Sequence, residues 1–334
     1  MKKIVITFVI TASIFLSCSD SEPAPKVTNI YTVGTQLIGS AEVATYWKNG
    51  VPTHLSDGTF DTDGRAIAVS GSDVHVAGFE VNTSNRAKYW KNGIVTNLSN
   101  VNSAAFSIAI SGSDVYLGGY VEAKGGKLVA TYWKNGSAIN LTDGTQNAVA
   151  YAIAISGMDV YAAGYESDGS HSVAKYWKNG VATELSEGKE HASAYSIFVD
   201  GSDVYAAGYE SNEQEISIAK YWKNNIATIL SNGTKDAAAR SIAVSGADVY
   251  AAGYDFYGGK TVATSWKNGT ATPLSNGQSS TAYVTTVVET DVYVVGYESN
   301  GTKSVAKYWK NGTPTPLVTD AALKSQAFSI FIGE

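Results

Sequence analysis

The sequence predicts an all-β fold built from seven copies of one structural unit, and three observations support this. All seven tryptophans recur at steps of 43 to 45 residues, each in a phrase close to Tyr-Trp-Lys-Asn-Gly. Short β-rich runs separated by turn residues fill each step, and no segment beyond residue 28 has sustained helical periodicity. A period of about 40–45 residues is typical of radial or stacked repeat arrays. The tryptophans are Trp47, Trp90, Trp133, Trp177, Trp222, Trp266 and Trp309.

Residues 150–188 contain the complete unit. Its four predicted strands cover residues 150–157, 159–166, 173–178 and 181–185. Asn-Gly joins the third strand to the fourth, and this dipeptide favours a type I′ hairpin because both central residues take positive φ. Ser-Gly-Ser-Asp or a close variant joins the first strand to the second. Four antiparallel strands with such tight turns form one blade of a β-propeller.

The two ends of the chain favour a closed ring over an open array. Residues 29–31 match the start of a second strand, whereas residues 327–334 match a first strand. The C-terminal strand therefore completes the N-terminal blade and leaves no open sheet edge. We predict a monomeric seven-bladed β-propeller with four-stranded blades over residues 29–334.

Several side chains that recur in the repeat have structural interpretations. We expect the tryptophans to pack between blades. Glutamates that end second strands are predicted to pair with lysines of the third strands: Glu80 with Lys88, Glu166 with Lys175, Glu210 with Lys220, and Glu298 with Lys307. The hairpin lysines are interpreted as solvated turn residues that pair with Asp73, Asp114, Asp159, Asp203, Asp248 and Asp291; the alternative is a lysine ring facing anionic lipid. These lysines are Lys48, Lys91, Lys134, Lys178, Lys223, Lys267 and Lys310.

The N-terminus has the pattern of an export signal. Lys2 and Lys3 precede an apolar run that ends at Cys18, the only cysteine. Residues 1–17 are predicted to be a lipoprotein signal peptide, and residues 18–28 a lipidated Cys18 with a flexible tether. A plain secretory signal is the alternative, because Phe15 and Leu16 depart from the common lipobox.

The signal in residues 1–22 and the repeats in residues 29–334 together resemble the uncharacterised repeat-propeller lipoproteins of Bacteroidetes-type bacteria. Ser19-Asp20-Ser21-Glu22 is similar to the short acidic sorting signals of such lipoproteins. The resemblance implies an outer-membrane lipoprotein, anchored through Cys18 and exposed at the cell surface. It implies no catalytic residues.

The two faces of the predicted disc differ in sequence. The short, uniform turns lie on one face, the bottom, whereas loops of varied length, such as residues 56–64, 121–128 and 211–216, lie on the top. Variable loops on a rigid scaffold commonly carry binding sites. The best candidate site is an axial ring of aromatic and arginine side chains near the top end of each first strand, with packing between blades as the alternative. The ring consists of Arg65, Phe106, Tyr151, Tyr195, Arg240, Tyr283 and Phe328.

Other chemistry has little support. A formal charge of −6 argues against a nucleic-acid partner. Neither a G-x-S-x-G motif nor a Cys–His pair is present, so we predict that the chain is not an enzyme and uses no cofactor. We predict no metal site; the alternatives are a site from His171 and His191 near Glu187 and Glu190, and a calcium loop from Asp57, Asp61 and Asp63.

Three functional hypotheses follow, in decreasing order of support. The first is an envelope-anchored binding module that presents its top face to a glycan, peptide or protein. The second is an interaction subunit of an outer-membrane complex. The third is an enzyme with a loop-built metal site.

Overall fold

Seven antiparallel four-stranded sheets account for all the strands in residues 28–318 and 323–333, the residues that the computed structural model describes. Consecutive sheets pack face to face around a central axis, and the described residues contain no helix. The seven-bladed β-propeller is therefore confirmed. The signal peptide, Cys18 and nearly all of the tether lie outside the described residues, so those predictions stay predictions.

The blades follow one another along the chain. Blade one uses β1 (Asn29–Ile38), β2 (Ala41–Lys48) and β3 (Val51–His54). Each later blade uses four consecutive strands. Blade two comprises β4 (Asp61–Ser70), β5 (Asp73–Val81), β6 (Asn85–Lys91) and β7 (Ile94–Asn97). Blade three comprises β8 (Ser103–Ser111), β9 (Asp114–Glu122), β10 (Leu128–Lys134) and β11 (Ser137–Asn140). Blades four and five comprise β12 (Ala148–Ser156), β13 (Asp159–Ser167), β14 (Ser172–Lys178), β15 (Val181–Glu184), β16 (Ala192–Asp200), β17 (Asp203–Ser211), β18 (Ser217–Lys223) and β19 (Ile226–Ile229). Blades six and seven comprise β20 (Ala238–Ser245), β21 (Asp248–Tyr257), β22 (Lys260–Lys267), β23 (Thr270–Pro273), β24 (Ser280–Val288), β25 (Asp291–Ser299), β26 (Ser304–Lys310) and β27 (Thr313–Pro316).

The ring closes as the chain ends predict. The last strand, β28 (Ser325–Gly333), pairs with β1 in the order β28-β1-β2-β3 and becomes the innermost strand of blade one. The register joins Asn29 to Gly333. The N-terminal and C-terminal segments thus share one sheet.

The bottom turns are held by the same polar contacts in every complete copy. The hairpin asparagine has φ near +50°, and its side chain bonds both to a second-strand N–H and to the aspartate at the start of that strand. In six blades the neighbouring lysine pairs with the same aspartate at 2.6–2.8 Å. Blade one has Asn29 in place of the aspartate, and Lys48 there lies over the ring of Tyr31. The interpretation of these lysines as turn residues paired with aspartate is confirmed for six of the seven.

The tryptophans pack between blades, as predicted. Each has at most 2% of its surface exposed. Trp222 of blade five, for example, packs in one cluster with Tyr161, Ala163 and Leu185 of the preceding blade. Trp47 packs in the same way on blade seven across the closure. The repeated tryptophan is therefore a wedge that fills the outer space where neighbouring blades diverge.

A β-bulge interrupts the first strand of every blade at the same place. In blade four, Ala150 pairs with Gly164 and Ala152 with Ala163, so Tyr151 has no partner residue on the second strand. A bulge bends its strand and redirects the extra side chain. The seven bulged residues are the seven members of the axial ring, Arg65, Phe106, Tyr151, Tyr195, Arg240, Tyr283 and Phe328.

A glycine faces each bulge because the two backbones come too close for a side chain. A Cβ atom at any of these glycines would lie 1.8–2.0 Å from a carbonyl oxygen of the first strand. No real Cβ approaches an oxygen so closely, so the backbone itself would have to move. The glycines are Gly34, Gly78, Gly119, Gly164, Gly208, Gly253 and Gly296.

Replacing one of these glycines tests the contact. Gly164→Ala should lower the free energy of unfolding by about 3 kcal/mol, the upper end for overpacking a core, because the obstacle is the backbone carbonyl of Val149. Gly125→Ala is the matched control, since nothing lies within 4 Å of a Cβ there. Urea unfolding of both variants measures the difference. Equal midpoints for the two variants would contradict the argument.

Blade two carries a histidine where the other six blades have tyrosine. His75 is 4% exposed, and its Nδ1 lies 2.6 Å from the Tyr89 hydroxyl. Burial lowers the pKa of His75 below its usual 6.5. The positive charge of Lys91 lowers this pKa further, whereas the negative charge of Asp73 raises it. The unfolded chain therefore takes up this proton at a higher pH than the folded chain does.

The sign of this shift predicts a loss of stability in acid. As the pH falls below about 6.5, wild-type protein should become less stable relative to His75→Tyr, which has no group that titrates there. Urea unfolding at pH 8, 6 and 5 measures the difference between the two proteins. The other three histidines are common to both, so parallel pH profiles would show that His75 is not the source.

Candidate functional site

The seven axial-ring side chains surround one cavity at the end of the axis nearer the variable loops. Its volume is about 520 Å³, within the range of about 300–1,000 Å³ usual for small-ligand sites. Each first strand contributes the bulged residue and the two that follow it, such as Tyr151, Ala152 and Ile153 in blade four. The structure therefore brings all seven predicted residues together, and they line an open cavity as well as packing against neighbouring blades.

The ring side chains contact one another in sequence around the axis. Phe106, Tyr151 and Tyr195 form a continuous aromatic arc, with centroid distances of 5.4 Å and 5.2 Å between successive rings. Tyr283 and Phe328 form a second pair at 4.9 Å. Burial raises the pKa of the three ring tyrosines above its ordinary value of 10, which already keeps a tyrosine protonated at neutral pH, so their hydroxyls can donate hydrogen bonds.

A second set of aromatic side chains, on the second strands, packs against the ring residues. Each follows the bulge-facing glycine on the second strand; Tyr165 lies 6.1 Å from Tyr151, and Tyr209 lies 5.8 Å from Tyr195. These residues were not predicted as part of the site. The Gly-Tyr or Gly-Phe dipeptide that recurs in the second strands is the signal that identifies them: Phe79, Tyr120, Tyr165, Tyr209, Tyr254 and Tyr297.

The two arginines of the ring have different partners. Arg65 forms an ion pair with Asp63 at 2.6 Å and lies over the ring of Phe328, 4.4 Å from its centroid. Burial raises the pKa of Asp63, and the Arg65 charge opposes that rise. Asp63 therefore belongs to the axial site, where it neutralises one of the two guanidinium groups.

Arg240 has aromatic neighbours and no carboxylate. Its guanidinium carbon lies 5.0 Å from the centroid of Tyr195, 5.4 Å from Tyr283 and 5.6 Å from Tyr254. Within the described ranges, no acidic side chain forms an ion pair with it, and its buried Nε has no hydrogen-bond partner. Arg240 therefore gives the cavity an unpaired positive charge.

Hydroxyl groups line the next level of the cavity. Ser241 Oγ accepts a hydrogen bond from the Thr285 N–H of the next blade at 3.0 Å, and Ser196 Oγ accepts one from the Ile242 N–H at 3.2 Å. Ser107 occupies the equivalent position in blade three, and its Oγ has no partner. Ser241 and Ser196 thus link adjacent first strands, whereas the Ser107 hydroxyl is buried and makes no such link.

The residues that were considered as alternative metal ligands do not converge. Asp57 caps the Thr59 N–H, Asp61 accepts from the Glu42 N–H, and Asp63 turns into the axial site, so the three aspartates have separate roles. The His171 and His191 rings lie 5.2 Å apart, and Glu187 pairs with Lys189. In the part of the chain that the structure describes, no three His, Cys, Asp or Glu side chains are grouped to hold a metal ion.

The predicted cross-strand pairs are present. Lys88, Lys175 and Lys220 lie 2.7–3.2 Å from the carboxylates of their glutamates, and Lys307 contacts Glu298. Because each of these glutamates has a lysine partner, we interpret them as structural.

Over residues 28–318 and 323–333, no helix has the length and apolar character needed to cross a membrane.

Solved structures share this fold. The chain is 12% identical to a puromycin-hydrolysing peptidase of Mycobacterium tuberculosis, with a TM-score of 0.57, over 86% of this chain and 53% of that one. It is 10% identical to a puromycin hydrolase variant in complex with PGG, with a TM-score of 0.59, over 87% and 52%. TolB from Acinetobacter baumannii is 11% identical, with a TM-score of 0.50, over 73% and 63%. The chain thus spans about half the length of the two hydrolases. No protein-family model matches the sequence, and no curated protein matches it either.

These likenesses correct one prediction. We predicted that the chain is not an enzyme because nucleophile motifs are absent, and that prediction is wrong: two structures that share its fold belong to puromycin-hydrolysing enzymes. The missing motifs therefore do not exclude an enzymatic role. At 10–12% identity the likeness establishes the fold, which is also the fold of TolB.

The serine level of the cavity gives a test of the site's construction. Ser241→Ala should lower the free energy of unfolding by about 1–2 kcal/mol, because it leaves the buried Thr285 N–H without an acceptor. Ser107→Ala is the matched control and should change stability little, since its hydroxyl has no partner. Chemical denaturation of both variants measures the contrast. Equal losses would show that the hydroxyls do not connect the blades.

Proposed function

We propose that this protein is a binding module whose axial cavity receives a sugar unit of a glycan. One observation carries the proposal: seven bulges direct aromatic and arginine side chains into a single open cavity of about 520 Å³. Aromatic faces provide stacking surfaces for sugar rings, and tyrosine and serine hydroxyls provide hydrogen bonds to sugar hydroxyls. A peptide or protein ligand on the top loops is the alternative ligand type.

The envelope location is part of the proposal. We infer that the chain is a monomeric outer-membrane lipoprotein, anchored through Cys18 and exposed at the surface, on the strength of the signal-like pattern in residues 1–22. The first described strand, β1, starts at the bottom of the disc, opposite the axial cavity. An anchor that precedes β1 would therefore direct the cavity away from the membrane.

An interaction subunit of an envelope complex is the second candidate, and a feature of the rim favours it. The outer strands β7, β15 and β19 begin with Ile94, Val181 and Ile226, which are more than 70% exposed. Exposed apolar side chains along sheet edges are suited to contacts with another protein. Cross-linking in intact membranes, followed by mass spectrometry, would identify a partner on this rim.

A glycan array tests the axial site. Tyr151→Ala and Tyr195→Ala should each weaken glycan binding by roughly tenfold or more, because each removes a stacking face. Phe256→Ala is the matched control; this aromatic side chain is 37% exposed at the end of β21, away from the axis. Thermal unfolding of each variant confirms that it folds. Binding that survives both tyrosine changes and is lost with Phe256→Ala would place recognition on the loops.

A further inference from the structure

The two arginines of the axial ring differ in a way that bears on the ligand. Both occupy the bulged position of their blades, and both lie over aromatic rings. Asp63 pairs with Arg65 and cancels its charge. Arg240 has the same surroundings without an acid, because Ala238 occupies the position that corresponds to Asp63.

An unpaired guanidinium at such a place is costly to the folded protein. Partial burial removes water from the charge, and arginines in protein interiors are usually paired for that reason. The rings of Tyr195, Tyr254 and Tyr283 return part of this energy through cation–π contact. They satisfy its donors only in part, because Tyr254 alone among them has a hydrogen bond with Arg240, and the buried Nε is without a partner, as it is in Arg65. An anion entering the cavity would neutralise the Arg240 charge, as Asp63 neutralises that of Arg65.

The shape of the guanidinium indicates which anion fits. Its planar arrangement of N–H groups matches the two oxygens of a carboxylate, which it binds through paired hydrogen bonds. The aromatic arc of Phe106, Tyr151 and Tyr195 ends beside Arg240, so a ring stacked on the arc has its edge near the charge. We propose that Arg240 binds the carboxylate of an acidic saccharide whose sugar ring stacks on this arc. The proposal rests on the sugar-binding function proposed above and specifies its ligand class.

A peptide carboxylate is chemically similar, but the cavity favours a sugar. Extended peptides are usually held by hydrogen bonds to an exposed strand edge. Here each first strand is the inner edge strand of its sheet, but its N–H groups at Ile67, Ile242 and Thr285 already bond to serine hydroxyls of neighbouring blades. The polar and aromatic part of the cavity lining consists of rings, hydroxyls and the two arginines. Rings and hydroxyls suit a sugar better than they suit a peptide backbone.

Calorimetric titration with paired probes tests the proposal. The probes are para-nitrophenyl glucuronide and para-nitrophenyl glucoside, which differ only in a carboxylate against a hydroxymethyl group. Wild-type protein should bind the glucuronide roughly 10- to 100-fold more tightly, the range for hydrogen bonds to a charged group. Arg240→Gln should remove this preference and keep the affinity for the glucoside. Arg86→Gln, which removes the same charge away from the axial ring, is the matched control and should keep the preference.

A gain-of-function variant separates charge capture from packing. Asp63→Asn frees Arg65 and should strengthen glucuronide binding several-fold, whereas a purely structural role for the arginines predicts no gain. Equal affinity for the two probes in wild-type protein would overturn this inference and leave the sugar site intact. Binding of neither probe would overturn both proposals. Tighter binding of an N-acetylated dipeptide with a free carboxylate would overturn the saccharide assignment.

Discussion

The close approach of the first and second strands at each bulge is the constraint on which the rest of the site depends. A glycine on the second strand lets a carbonyl oxygen of the first strand occupy the space that a Cβ would fill. The extra residue of the first strand then points toward the axis instead of into the ladder. Seven such contacts, repeated around the ring, place seven large side chains at one level and keep the cavity between them open.

The same contact allows the blades to differ at the seven positions of the axial ring while the strands around them stay the same. A bulged residue has no cross-strand partner, so its identity is released from the requirements of strand pairing. Phe106, Tyr151 and Arg240 can therefore occupy equivalent places with different chemistry. The bottom of the disc shows the opposite behaviour, since its turns, lysines and aspartates are tied together in six blades and vary little. Uniform packing at one face supports variation at the other.

Local patterns explain how much of this could be predicted. The tryptophan period and the Asn-Gly hairpins are short-range signals, and they sufficed for the blade count, the strand order and the closure. The ring residues were also recognisable, because each lies at the same offset in its repeat. The bulge was not, since its only mark is a glycine on the facing strand. For the same reason Asp63 was grouped with Asp57 and Asp61 as a loop acid, although the bulge brings it beside Arg65.

The prediction that the chain is not an enzyme was wrong for a different reason. It relied on the absence of nucleophile motifs, and that absence does not tell whether proteins with the same fold are enzymes.

The closure has a mechanical consequence. Because β28 occupies the innermost position, β1 lies between two hydrogen-bonded neighbours, with eight residue pairs on each side. A pull on the chain before residue 28 would therefore load two ladders at once, and it could not peel away an edge strand. The outer strand of the same blade, β3, has four residues and a single neighbour, so it would yield under far less force. Any tension applied from the N-terminal side would therefore act on a strand that is held on both edges.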